Sequence, residues 1–259
     1  TGYAAKYGAA DQKAIESWLF FDRDNPNSVA SCLTAARENG RIVRTALTQQ
    51  VWDALNTAFQ ELRQIEARRE KAELSRLTDW VMKQAAMVRG AIDGTILRND
   101  GFNFLNIGYY LERGDATARL MDVKYYVLLP RAEYIGTGLD NDQWLMLLRG
   151  LGAHRAFHWA YGGEVTAAKI AHFLILNRQS PRSLITCVDG LSGHLERIAK
   201  AYGACTPAQD AARALREGLE TLTVEDIFDE GLHEFLSRFI GVNADMGALV
   251  RNTYLDGDR

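Results

Sequence analysis

Four prolines in 259 residues leave little to interrupt helices. Three cysteines (Cys32, Cys187 and Cys205) are too few and too scattered for a disulfide framework or a cysteine metal site, and read as reduced core thiols. No apolar run approaches the ~18 residues that a membrane span needs, and no signal-peptide pattern is visible. Thirty basic residues nearly balance 33 acidic ones, for a formal net charge of -3, which excludes a global electrostatic draw to nucleic acid or an anionic membrane. A Gly-x-Ser-x-Gly elbow, a phosphate-binding Gly-Lys-Ser/Thr loop and a dinucleotide fingerprint are missing, so the chain has no visible means of binding ATP by itself. Alternating β-branched runs bounded by hairpin turns are lacking too. These absences imply a cytoplasmic helical protein without a cofactor, and the residues alone identify no reaction.

What is present is helical periodicity. Residues 11–21 predict a short helix around Ile15, Trp18, Leu19 and Phe21. Asn25-Pro26-Asn27-Ser28 reads as a turn and helix start, with Asn25 as a capping residue just before a proline suited to the first helical position. The stripe Val29, Cys32/Leu33, Ala36, Val43, Leu47 follows, and Thr48 caps a helix carrying Val51, Trp52, Leu55, Phe59 and Leu62. Glu61–Glu73 is highly charged and expected to be solvated, before a helix over 75–92. The clearest helix spans 102–129, with Phe104, Ile107, Leu111, Gly114, Ala118, Met121, Tyr125 and Leu128 forming a bundle seam that Pro130 ends. Further helices are expected near 141–161, 164–176, 181–201, 207–221 and 231–255. The fold class is all-α, a multi-helix bundle.

An internal repeat shapes the expected organisation. Trp18-Leu19-Phe20-Phe21-Asp22-Arg23-Asp24-Asn25-Pro26-Asn27-Ser28-Val29 matches Phe173-Leu174-Ile175-Leu176-Asn177-Arg178-Gln179-Ser180-Pro181-Arg182-Ser183-Leu184 at a constant offset of 155, which extends to Cys32 and Cys187. The helix 102–129 precedes the second copy, and nothing in the chain precedes the first copy in the same way. The sequence therefore reads as a single domain over 1–259, built from two related helical units of about 1–100 and 101–259, the first lacking its N-terminal helix. Apolar surface left by that helix is expected to drive oligomerisation.

Charge accompanies two of the stripes. Glu112, Asp115, Arg119 and Asp122 form one strip beside the seam of helix 102–129, and Arg37, Arg41 and Arg44 form another, with Glu38 and Asn39 nearby. Packing the seams together is expected to face the arginines towards the carboxylates, as a buried salt network or as a polar pocket for an anionic or zwitterionic ligand. Metal readings are weaker. His154 and His158 stand at i and i+4 without a recognisable third ligand, and Glu230 and His233 make one Glu-x-x-His where a di-iron bundle needs two. No metal is expected.

These same segments resemble the bacterial alpha-E family of helical domains. The resemblance rests on 21–29, Cys32, Ala36-Arg37-Glu38-Asn39, Leu47-Thr48 and Trp52. Its strongest stretch is Phe104-Leu105-Asn106-Ile107-Gly108-Tyr109-Tyr110-Leu111-Glu112-Arg113, which continues through Asp115, Thr117, Arg119 and Asp122-Val123-Lys124-Tyr125 to Leu128-Leu129-Pro130. Ser180-Pro181-Arg182-Ser183 completes it. Gly40 and Gly114 stand where the family usually has alanine. The resemblance implies partnership with a circularly permuted ATP-grasp protein and a transglutaminase-like protein in amide-bond formation. Two functions follow as expectations: a non-catalytic partner or substrate-presenting subunit of such a ligase, or an enzyme whose Glu112, Asp115 and arginines perform acid–base work on a peptide or amino acid.

Overall fold

The computed structural model describes residues 2–9, 11–69, 73–127 and 138–255. The protein is 81% helical, with 13 α-helices and no strand among the described residues, so the all-α expectation holds. It divides into two compact units, Thr1–Phe102 and Asn103–Arg259.

In the first unit, α1 (Gly2–Tyr7) and α2 (Gln12–Phe20) precede α3 (Val29–Ile42), α4 (Gln49–Glu66) and α5 (Leu74–Thr95). Side-chain oxygens set three of the starts: Asp11, Ser28 and Thr48 each accept from the backbone N–H three residues on, as N-caps do. Ser28, not Asn25, is thus the cap of α3, and Pro26 lies in the turn before it. The expected run to Leu47 ends at Ile42, followed by a 3-10 turn over Arg44–Ala46. Phe20, Ala30, Leu62 and Leu77 form one core, and Val51, Leu55, Ile96 and Phe102 form a second.

Two expectations for this unit change. Cys32 and Ala36 are exposed, so the buried stripe of α3 is narrower than the sequence suggests; of the three cysteines only Cys187 is a core thiol. The charged stretch after Glu61 is not simply solvated. α4 continues to Glu66 with Leu62 fully buried, and Glu61 accepts from Trp80 Nε1 at 2.7 Å and Gln84 Nε2 at 2.8 Å, tying α4 to α5.

The second unit holds most of α6 (Asp100–Val127), then α7 (Gly138–Gly150), α8 (His154–Tyr161), α9 (Ala167–Ala171), a π-helical segment (His172–Leu176), α10 (Leu184–Tyr202), α11 (Pro207–Glu220), α12 (Val224–Glu230) and α13 (Leu232–Tyr254). Ile107, Gly114, Ala118 and Met121 are buried as the seam requires; Leu128, Pro130 and the side chain of Tyr125 lie outside the described residues. The expected helix over 141–161 is broken where Gly152 takes a positive φ (+65°) and separates α7 from α8, whereas the one expected over 231–255 forms as α13, with Gly231 (φ +98°) dividing it from the short α12 before it. The main core gathers Phe157, Phe173, Leu174, Leu184, Phe235 and Leu236, all at most 2% exposed.

Candidate functional site

α6 carries the Glu112-Arg113 pair and packs on α10 through small residues. The Cβ of Cys187 lies 3.5 Å from where a side chain on Gly114 would begin, and any side chain on Gly190 would overlap the Tyr110 ring. This close approach sets Arg113 beside the start of α10. Its guanidinium donates to the Tyr109 hydroxyl one turn earlier and lies 5.0 Å from that ring's centroid. Arg182, immediately before the Ser183 cap of α10, is half-buried. Burial, then the neighbouring charge of Arg113, holds the Arg182 guanidinium below its ordinary value. It nonetheless remains a cation at neutral pH. Burial pushes the adjacent Cys187 thiol up to about 11, although Arg113 and Arg182 both favour its thiolate. A thiol so raised is not a nucleophile near neutrality. Two guanidiniums at a helix N-terminus, with tyrosine and a protonated thiol beside them, make a setting for an anion.

Two carboxylates of the α6 strip have partners within the second unit. Asp115 accepts from Arg119 Nε at 2.6 Å, and this bond is the main reason the Arg119 guanidinium is raised. Asp122 Oδ1 lies 2.6 Å from His233 Nδ1, a partner 111 residues away. Glu112 is exposed. Ser237 Oγ lies 3.5 Å from Nδ1 and 3.4 Å from Nε2 of His233, nearly equidistant from both nitrogens and so off the in-plane lone pair that a nucleophile–base pair needs. Glu230, the other half of the Glu-x-x-His, instead takes both Nε and a terminal nitrogen of Arg238, at 2.8 and 2.7 Å.

The arginine row lies in the first unit and also finds local partners. Arg37 Nε donates to Asn56 at 3.2 Å, its terminal nitrogen reaches Glu38 at 2.9 Å, and its guanidinium lies 4.6 Å from the Phe59 centroid. Arg41 Nε donates to the other Glu38 oxygen at 2.8 Å. Arg41 and then Arg37 hold the Glu38 carboxyl below the usual carboxylate range. Arg44 bonds Gln49 and stacks 5.3 Å over Trp52. The structure thus joins Arg37, Glu38 and Arg41, joins Asp115 to Arg119, and leaves Arg113 with Tyr109 and Arg182. The histidines at 154 and 158 approach each other at 3.3 Å between Nε2 atoms, yet no group of three metal-ligating residues exists among the described residues.

The two turns matched in sequence carry similar bonds, most of them 155 residues apart and those to Glu66/Glu220 and from Tyr7/Tyr161 154 apart. Ser28 and Ser183 cap their helices through Ser31 N–H and Thr186 N–H. The Asp24 N–H donates to Asp22 Oδ1 and the Gln179 N–H to Asn177 Oδ1. Arg23 bonds Thr34 and Glu66; Arg178 bonds Asp189 and Glu220. Tyr7 donates to Asp22, while the Tyr161 hydroxyl accepts from Asn177.

A family model for Alpha-E, described as a predicted alpha-helical domain with a conserved ER motif, matches residues 1–255. The Glu-Arg dipeptide occurs at Glu112-Arg113 and again at Glu196-Arg197. No curated protein and no solved structure matches the chain.

Proposed function

We propose that this chain, which belongs to the Alpha-E family, acts as a non-catalytic partner or substrate-presenting subunit of a circularly permuted ATP-grasp amide ligase, with a transglutaminase-like protein as a second companion. One observation supports it above others. Around the Glu112-Arg113 helix, the carboxylates of Asp115 and Asp122 are committed to Arg119 and His233 and the Cys187 thiol stays protonated, while Arg113 and Arg182 stand together as cations. Such a group holds an anionic moiety, a carboxylate or phosphate, and offers no poised nucleophile. The ligase supplies the ATP site that this sequence lacks.

The alternative is an enzyme acting on a peptide or amino acid by acid–base chemistry, and the Asp122–His233 pair favours it, since a carboxylate on Nδ1 orients an imidazole for proton transfer. One experiment separates the two: co-expression with the ligase, affinity capture, and a product assay. Arg113→Gln is expected to abolish product or complex while Asp122→Asn retains both. Product lost with Asp122→Asn in an intact complex reverses the assignment.

Two further readings belong with this proposal. The matching bonds of the two turns support a common origin for the two units. Exposed apolar side chains of the first unit, Ile42 and Leu97 at 76% each, support self-association.

A further inference from the structure

A cavity of about 830 Å³ opens in the second unit, with an apolar floor of Leu176, Ile185, Leu219, Leu222 and Val224. It shares no lining residue with the Arg113–Arg182 pair. Tyr161, Lys169, His172, Arg178 and Glu225 contribute polar groups to its wall. Size and mixed lining match those of small-molecule sites. His172 opens the π-helical segment, a rare distortion that concentrates at functional sites.

Hydrogen bonds connect the polar groups of this wall. The Gln179 N–H donates to Asn177 Oδ1 at 2.8 Å, which turns the amide so that Nδ2 donates to the Tyr161 oxygen at 3.0 Å. Burial pushes the Tyr161 phenol up, so it keeps its proton. The other partner of the hydroxyl is His172 Nδ1, which stands ready to accept that proton. An imidazole that accepts at Nδ1 carries a hydrogen on Nε2. His172 is therefore a set donor on the cavity wall. Arg178 is consumed by Asp189 and Glu220. Lys169 Nζ reaches only the Glu164 carbonyl, at 3.1 Å, and Glu225 has neither a hydrogen bond nor an ion pair among the described residues. A cation and an anion thus line one cavity without joining each other.

The first unit shows what the corresponding turn does when it holds a cation. There Asp22 and Asp24 together bind the Lys6 ammonium at 2.8 and 2.7 Å, and Tyr7 donates to Asp22. In the second unit those two acids are Asn177 and Gln179, and the position of Ser17 is His172. Replacing acid by amide reverses the tyrosine's hydrogen bond and calls for an acceptor at position 172. Where the first unit holds an internal ammonium between carboxylates, the second has an amide and an imidazole beside its tyrosine.

We propose that this cavity binds a small zwitterion of the amino-acid or short-peptide class with an apolar side chain. Its carboxylate meets the Lys169 ammonium and His172 Nε2–H, its ammonium meets Glu225, and its side chain rests on Leu219, Leu222 and Val224. The proposal requires no ligase and stands apart from the partner reading. Its test is isothermal titration of the full purified chain with L-leucine, leucyl-leucine, 4-methylpentanoic acid and 3-methylbutylamine. One of the two zwitterions is expected to bind at least about tenfold more tightly than either half-molecule. Leucine binding alone identifies a single amino acid; dipeptide binding alone identifies a peptide with free termini. Lys169→Met is expected to reduce the zwitterion to the affinity of the amine, and Glu225→Gln to that of the acid, with circular dichroism checking the fold of each. Absence of heat with both zwitterions at concentrations on the order of millimolar, half-molecules that bind equally well, or variants of unchanged affinity overturn the proposal. Each of these negative results leaves the ligase-partner reading untouched, because no ligase is present.

Discussion

Asp22 is 8% exposed and takes three donors: the Lys6 ammonium, the Tyr7 hydroxyl and the Asp24 N–H. The bond from Lys6 is the largest cause that holds its carboxyl down to about 2, from an ordinary 3.8. A depressed folded-state value means that the unfolded chain binds the proton first as pH falls. The stabilisation from this group is therefore present above about pH 4 and lost on descent towards pH 2. Asp22→Asn is expected to lower the melting temperature at pH 6, with the gap to the parent closing between pH 4 and pH 2. Melts by circular dichroism across that range check this, and a pH-independent gap refutes it. Gly190 is as demanding in a different way, since any Cβ there overlaps the Tyr110 ring. Gly190→Ala is expected to destabilise by about 1–3 kcal/mol through overpacking, read from denaturant midpoints. Nothing in the sequence marks Gly190 apart from its neighbour Gly193, which has only a distant side-chain atom for company. The difference comes from which helix lies opposite. His233 was equally illegible as the partner of Asp122, because 111 residues separate them.

Helices were legible because burial on one face imposes a 3.6-residue period, and side-chain caps at Ser28, Thr48, Ser183 and Thr223 mark starts. Their breaks were harder to read. Periodicity runs through 141–161, yet Gly152 takes a positive φ and divides that stretch in two. A glycine inside a helical pattern signals permission to turn without stating whether the turn is taken. Gly152→Ala is expected to cost about 1–2 kcal/mol, because its left-handed conformation must now carry a Cβ. Gly114 behaves in the opposite sense. It sits inside α6 with ordinary contact distances, 3.5 Å to Cys187 and 3.6 Å to Phe239, awaiting a methyl group. Gly114→Ala is expected to stabilise by about 1 kcal/mol through helix propensity, raising the melting temperature. A fall shows that α6 and α10 approach too closely for any side chain there. Gly40, by contrast, faces Leu55 Cδ1 at 3.2 Å, so alanine is tighter at that position.

At the scale of the whole molecule, two compact units each carry their own apolar cores. The first exposes Leu19, Met82, Ile42 and Leu97, at 56–76%. Scattered exposed apolar groups are common, and the proposed self-association would cover four this open. Sedimentation of the purified chain at micromolar concentration is expected to show self-association that Ile42→Glu with Leu97→Glu abolishes; a monodisperse parent argues against it. The sequence by itself determined the all-α class, most helix positions, the seam of α6 and the matched turns at 22–29 and 177–184, because these depend on local period, capping and spacing along the chain. Only the tertiary structure decided which charges meet. Asp122 takes His233, Arg182 comes near Arg113, and Glu61 joins Trp80 and Gln84. Charge pairing is decided by distances of a few ångströms between helices far apart in sequence, and helical periodicity specifies a face without naming what packs against it.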